Sequence, residues 1–350
     1  MIAIQLLVFL GSLILLVKGS DFLVKSSASI AKKLGISEFI IGLTLVAIGT
    51  SVPELAASVI AAVKHESGII IGTAVGANIV RIALVIGVAA TISVIKTREE
   101  MVSRDGYIML FAALLFMIFI FNYNISKIEG LILLLFYVAY VFYLFEAKPR
   151  FKEKYRFREF LSYFFGFRYL MTIKSKLVAG VNDITSYERR KILRLFQAGL
   201  FKDFVIVAIS AFLIVIGANF LVDSSVFLAN FFRVPQTIIG VTILALGTSL
   251  PELSVSITAA RKGYGNIVVG TIIGSNIAHI FLVVGLSAVI HPLSVIKTTL
   301  LFTAPSMVFI SILFLIFIKS GWEIRRSEAA FFLFFYAVFM AVIFFNNLPF

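Results

Sequence analysis

The sequence predicts an all-α polytopic membrane protein of ten transmembrane helices, arranged as two inverted five-helix repeats. Three observations carry this. The chain is 61% hydrophobic and only 14% charged, whereas a soluble chain of this length carries far more charge. Apolar runs of 16 to 22 residues recur along its whole length, and a helix needs about 20 such residues to cross a bilayer core. The sequence also repeats on itself at an offset of 198 residues. That offset pairs Gly19 with Gly217, Gly42 with Gly240, Gly49 with Gly247, Gly72 with Gly270, Gly76 with Gly274 and Gly87 with Gly285, without a gap from residue 17 to 87.

The spans are expected near residues 2–30, 36–63, 68–93, 105–122 and 127–145, then 202–229, 235–259, 266–290, 298–319 and 328–347. The first has no basic region before it and no small-residue cleavage site, so it reads as a retained span and not as a removed signal peptide. It continues into the weakly polar stretch Lys18 to Lys33, and the sixth continues into Asn219 to Arg233. Both read as long or tilted helices. Residues 1–145 form the first repeat, with its motif region at 42–87. Residues 201–350 form the second, with its motif region at 240–285. An odd number of spans per repeat makes the second enter the membrane upside down, an architecture common among secondary transporters.

Between the repeats lies the one long hydrophilic segment, 146–200, with thirteen basic residues against five acids. Basic connections stay on the cytoplasmic side. Placing this loop there puts both termini outside and sends Lys25, Lys32, Lys33, Lys96, Arg98, Arg104, Arg261, Lys262, Lys319, Arg325 and Arg326 inside, leaving Lys64, Lys127, Arg233 and Lys297 outside. The expected location is therefore a cell membrane. The net charge of +13 does not indicate nucleic acid, because it resides in these connections. Phe157 to Phe167 alternates aromatic and charged residues, as a segment lying on a membrane surface does. The absence of cysteine excludes disulfides and thiolate metal sites. Nothing in the sequence sets an oligomeric state.

The feature that demands a functional explanation is a motif present twice, Ala47-Ile-Gly-Thr-Ser-Val-Pro-Glu-Leu55 and Ala245-Leu-Gly-Thr-Ser-Leu-Pro-Glu-Leu253. Each copy sets a carboxylate, Glu54 or Glu252, inside an apolar run, and a charge at membrane depth costs about 3 kcal/mol or more. Thr50 lies four residues before Glu54 and so shares its helix face, with Ser51 beside them. Pro53 has no N–H, which leaves the Gly49 carbonyl without its helical partner and loosens the turn around Ala47–Gly49. Pro251, Gly247, Thr248, Ser249 and Glu252 repeat the set. A carboxylate, two hydroxyls and freed carbonyls are the oxygen ligands that Na⁺ and Ca²⁺ take. A proline kink satisfied by Ser and Thr accounts for all of this except the glutamates.

The following span of each repeat carries Gly72-Thr-Ala-Val-Gly-Ala-Asn-Ile79 or Gly270-Thr-Ile-Ile-Gly-Ser-Asn-Ile277. Glycines four apart let helices approach closely. Asn78 and Asn276 are either ligands or packing contacts. Together the two motif pairs resemble the α-repeats of the cation/Ca²⁺ exchanger superfamily, especially the prokaryotic Na⁺/Ca²⁺ exchangers. The resemblance implies a secondary antiporter with no cofactor. Its partners would be inorganic cations, Ca²⁺ exchanged against Na⁺ or H⁺, and the lipid bilayer. It further implies a central site formed by Glu54, Glu252, Thr50, Ser51, Thr248, Ser249, Ser275 and the carbonyls of Ala47 and Ala245, with the first and sixth helices sliding past it.

Three positions depart from that family. Arg81 and His279 stand at matching repeat positions where exchangers usually carry Asn or Asp, and Ala77 replaces a hydroxyl ligand. Three arrangements fit. Arg81 substitutes for one bound cation; His279 carries an exchanged proton; or both point away from the site. Other classes fare less well. No His-Glu-x-x-His and no G-x-x-x-x-G-K-[ST] occurs, so a zinc enzyme or a self-contained ATPase is excluded. A channel or a non-transporting sensor locked by Arg81 remains compatible with an oxygen-lined core.

Overall fold

A bilayer core offers no water to backbone N–H and C=O groups, so a spanning chain pairs them within α-helices or closed barrels. This chain takes the helical solution almost throughout. The computed structural model describes residues 2–34, 37–65, 67–97, 99, 101–146, 157–170, 199–231 and 249–346. Its helices are α1 Ile2–Leu34, α2 Glu38–Ile41, α3 Ala47–Val63, α4 Ser67–Val80 and α5 Gly87–Ile92. They continue as α6 Tyr107–Phe119, α7 Lys127–Glu146, α8 Phe157–Phe165 and α9 Leu200–Phe231. The last five are α10 Leu250–Arg261, α11 Gly265–Ala278, α12 Gly285–Ile290, α13 Ala304–Gly321 and α14 Arg326–Asn346.

Among the described residues, eight helical stretches are long and apolar enough to cross a membrane, and a shorter apolar helix, Phe39–Ser51, lies in the second expected span. Most of the seventh expected span, 235–248, is outside the described residues, as is most of the loop at 146–200.

Wide π turns join short helices into longer ones. Gly42–Val46 links α2 to α3, Arg81–Ile86 links α4 to α5, and His279–Val284 links α11 to α12. The last two stand at the 198-residue offset. The loosened turn expected at Ala47–Gly49 thus lies one turn earlier, at Gly42–Val46. The reason is packing: a Cβ on Gly42 would stand 2.6 Å from the Ile267 carbonyl oxygen, so the backbone is widened where it is pressed against α11.

Burial separates core from periphery. The span Gly265–Ile290 is 94% buried and Ile70–Ile92 is 72%, against 22% for Leu200–Gly217 and 17% for Arg326–Ile343. Among the described residues, the third and eighth spans are therefore the best shielded from lipid. Two short antiparallel pairs clamp the connections: β1 (Ile95–Lys96) with β4 (Glu323–Ile324), and β2 (Asn124–Ile125) with β3 (Leu293–Ser294). α1 has 33 residues and α9 has 32, lengths of roughly 50 Å at 1.5 Å per residue. Both exceed a hydrocarbon core of about 30 Å, as the sequence suggested for long or tilted helices.

Helix α8 packs by one face against α7. It turns Phe160 and Tyr163 inward, both buried, against Tyr140 and Tyr143 of α7, and Phe164 stacks on Phe136 at 3.8 Å. Beside it lies a buried polar trio that sequence reading did not single out. The Asp105 carboxylate accepts hydrogen bonds from Arg104 Nε at 2.9 Å and from the Tyr140 hydroxyl at 3.1 Å, and Asp105 is fully buried. Removing one partner of a buried ion pair costs about 3–5 kcal/mol, whereas a hydrogen bond to a charged group contributes about 1.5–3 kcal/mol. Asp105→Ala, which removes both interactions, is therefore expected to lower the thermal unfolding temperature in detergent more than Tyr140→Phe does. Equal losses would show that the ion pair is not the dominant interaction.

Candidate functional site

The site is assembled from five segments that meet in the shielded core. α3 supplies Thr50, Ser51 and Glu54; α10 and the residue before it supply Glu252 and Ser249. α11 supplies Ser275, and the two π turns supply Arg81 and His279. Glu252, Arg81, His279, Thr50 and Ser275 are each 0% exposed, while Glu54 and Ser51 are 6%. Both motif glutamates thus turn away from lipid. A lipid-facing carboxylate would cost several kcal/mol, and here that cost is offset by an opposite charge.

Arg81 provides that charge. Its Nη2 lies 3.0 Å from Glu252 Oε1, 3.4 Å from Glu54 Oε1 and 3.0 Å from His279 Nε2. A guanidinium can only donate, so His279 Nε2 accepts and the ring proton sits on Nδ1. His279 is then neutral here. With both carboxylates ionised, two acids and one guanidinium would sum to a net charge of −1. Of the three arrangements open from sequence, the one with both residues pointing away is excluded by these distances.

Around this centre the hydroxyls are poised but not all used. Thr50 Oγ1 donates within its own helix to the Val46 and Ala47 carbonyls, at 3.2 and 3.3 Å. Ser51 and Ser275 approach each other at 3.4 Å, bringing the first motif against the second repeat. Glu54 Oε2, Glu252 Oε2 and Ser249 Oγ are buried and have no partner among the described residues. Buried polar atoms ordinarily find a partner, and these three oxygens are of the type that hard cations take. No group of three or more His, Asp or Glu side chains fit to share a metal occurs among the described residues.

Other expected residues fall differently. Asn78 Nδ2 turns back to the Ala74 carbonyl at 2.6 Å, and Asn276 Nδ2 lies 3.6 Å from Met109 Sδ. Asn276 Oδ1 has no partner among the described residues. Ala77 is buried with only a methyl to offer. Thr248 and Ala245 lie outside the described residues. His65 and His291, each just past the end of a helix, meet edge to face at 4.0 Å.

The close approach that brings the segments together depends on two glycines of the second Gly-x-x-x-Gly. A Cβ on Gly270 would stand 2.4 Å from the Phe39 carbonyl oxygen, and one on Gly274 would stand 2.2 Å from that of Leu43. Helix α11 therefore lies directly on the backbone of α2 and the Gly42–Val46 turn.

Around this core run contacts that sequence reading did not find. Ser20 of α1 bonds Ser254 of α10 at 2.7 Å, and Ser254 also donates to the Leu16 carbonyl. Asp21 of α1 pairs with Lys262, just beyond α10, and with Lys25. Lys33 and Ser29 of α1 both reach Asp203 of α9, at 2.7 and 2.6 Å. An apolar cleft of about 480 Å³ lined by Leu45, Ile48, Gly49, Phe204, Val207 and Ala211 separates α9 from the motif helix. The one sequence signal for these contacts was an acid, Asp21, inside the first apolar span.

Known proteins share this construction. The family described as sodium/calcium exchanger protein matches residues 4–146 and 202–345. The sodium/calcium exchanger MaX1 of Methanosarcina acetivorans is 48% identical over 99% of this chain and 100% of its own length. The inner membrane protein YrbG of Escherichia coli is 29% identical over 80% of this chain and 78% of its own. Among solved structures, that of the sodium-calcium exchanger NCX_Mj soaked with Na⁺ superimposes with a TM-score of 0.76 at 29% identity, covering 97% of this chain and 99% of that one.

Proposed function

Because this chain belongs to the sodium/calcium exchanger protein family, we propose that it is a secondary antiporter that exchanges Ca²⁺ for Na⁺ across a membrane, with Glu54 and Glu252 as the acids that hold the transported cation. It is not an enzyme, and its substrates are the two ions. The observation that carries the site is the meeting of the two motif glutamates, 198 residues apart in sequence, within 3.4 Å of a single nitrogen.

In this reading the free carboxylate oxygens and the hydroxyls of Thr50, Ser51, Thr248, Ser249 and Ser275 replace water around the ion, with the Ala47 and Ala245 carbonyls completing its shell. Hard cations take oxygen ligands of this kind. Ten spans form two inverted repeats, 1–145 and 201–350. The basic loop at 146–200 is cytoplasmic and both termini are outside, as the distribution of Lys and Arg supports.

Alternating access follows from how the helices are tied. Lys33, Ser29 and Asp203 bind α1 to α9, so these two long helices move as one body. The apolar cleft beside α9 offers no polar contacts to break as they slide. Asp21 and Lys262, by contrast, tie α1 to the core, and that contact must open when the site changes sides. A channel would need no such coupled pair.

The test is ⁴⁵Ca²⁺ uptake into proteoliposomes loaded with Na⁺. Uptake that requires the outward Na⁺ gradient is the expected result. Uptake indifferent to Na⁺, or single-channel currents in a planar bilayer, would overturn the assignment.

A further inference from the structure

We propose that Arg81 is a resident cation of the transport site, its Nη2 filling a position that a transported Na⁺ would otherwise take, so that each Ca²⁺ is exchanged for one Na⁺ fewer than two glutamates alone would bind. This rests on the reading of Glu54 and Glu252 as the cation ligands.

The geometry around Arg81 is that of a bound ion more than that of a structural ion pair. Arginine stabilises a carboxylate by a fork, two parallel N–H groups on two oxygens of one partner. Here the fork is unused. Nε and Nη1 are buried and have no partner among the described residues. A single nitrogen instead faces three acceptors from three segments: Glu54 Oε1 at 3.4 Å, Glu252 Oε1 at 3.0 Å and His279 Nε2 at 3.0 Å. An NH₂ group has two hydrogens, so three converging acceptors surround a positive centre and do not pair off as directed bonds. Convergence of ligands from separate elements on one point is what a coordinated cation shows.

Arg81 is 0% exposed, which leaves its head group no route to the membrane surface by snorkelling. Its charge belongs to the site. Both glutamates use only Oε1 on Arg81, while each Oε2 has no partner among the described residues. The cage is therefore half filled by the guanidinium and half left to the substrate. His279, at the repeat position matching Arg81, completes the cage as a neutral acceptor, so the positive charge enters from one repeat only. A tethered charge lowers the number of monovalent ions required to neutralise the glutamates, yet it never dissociates into either compartment.

The coupling ratio tests this directly. In proteoliposomes clamped at zero membrane potential with K⁺ and valinomycin, the Ca²⁺ ratio at which net ⁴⁵Ca²⁺ flux vanishes is measured against the Na⁺ ratio. The slope of the logarithms is the number of Na⁺ per Ca²⁺. Arg81→Asn is expected to raise this slope by one, and Arg81→Lys, which keeps the charge, is expected to leave it at the parent value. An unchanged slope in Arg81→Asn overturns the proposal, because the guanidinium would then leave the cage when ions bind. A slope that changes in Arg81→Lys also overturns it. So does an Arg81→Asn protein that is monodisperse and folded yet takes up no Ca²⁺ at any Na⁺ gradient, since a stand-in for Na⁺ must be replaceable by Na⁺. Where Arg81→Asn does not fold, Arg81→Gln and Arg81→Lys carry the same comparison. Absence of Na⁺-driven uptake in the parent protein counts against the antiport reading instead.

Discussion

Glu54→Gln and Glu252→Gln are each expected to reduce Na⁺-driven ⁴⁵Ca²⁺ uptake by about two to three orders of magnitude at subsaturating Ca²⁺. The estimate follows from charge alone. Two unit charges 4 Å apart interact by about 4 kcal/mol at an effective dielectric of 20, more for a divalent ion, and 1.4 kcal/mol is about a factor of ten in affinity. Glutamine keeps the shape and one oxygen, so packing is not the cause of the loss. Arg81 sharpens the contrast between single and double variants. Either single change leaves the guanidinium one carboxylate, at 3.0 or 3.4 Å. The double change leaves a fully buried positive charge with no counter-ion, a situation that costs about 3–5 kcal/mol when a buried pair is broken. The single variants should remain folded in detergent and lose transport, while the double variant should lose thermal stability as well. Single variants with parent-like uptake would remove both acids from the site.

Gly274→Ala is expected to lower stability by about 1–3 kcal/mol, the usual cost of forcing extra atoms into a packed core, and to abolish most transport in whatever remains folded. The new methyl would stand 2.2 Å from the Leu43 carbonyl oxygen and 2.8 Å from its carbon. Backbone cannot rotate away as a flexible side chain can, so α11 must move off the Gly42–Val46 turn. That movement separates Ser275, one residue further along, from Ser51, now 3.4 Å apart, and with it the two halves of the site. Gly11→Ala is the control. Its methyl would meet nothing within 4 Å, and no loss is expected there. Thermal unfolding followed by tryptophan fluorescence at Trp322, together with uptake, distinguishes the two. Equal behaviour of the two alanine variants would show that close helix approach is not what assembles the site.

Much of this was readable before any coordinates. Glu54 and Glu252 announced themselves because a carboxylate in an apolar run is costly wherever it lies, and Gly270 and Gly274 because their spacing leaves a groove on one helix face. The π turns were not readable, since nothing local marks them; Gly42–Val46 widens because α11 presses on it. Asn78 gave no hint that it would turn to its own helix at Ala74. The trio of Arg104, Asp105 and Tyr140, and the contact of Asp21 with Lys262, join residues from different spans, and single-sequence reading has no register for such pairs.

By itself, then, the sequence determined membrane residence, the duplicated construction, the acids at its centre and the exchanger family that they resemble. These are costs and patterns paid within one segment, and they hold whatever the segment touches. Tertiary structure decided where the charge of Arg81 goes. From sequence it could pair with a glutamate in the core or point away from the site. Only the packing of α3, α4 and α10 around one shielded point brings its Nη2 to both glutamates, because an electrostatic interaction depends on distance, and distance between residues 81 and 252 is set by the fold.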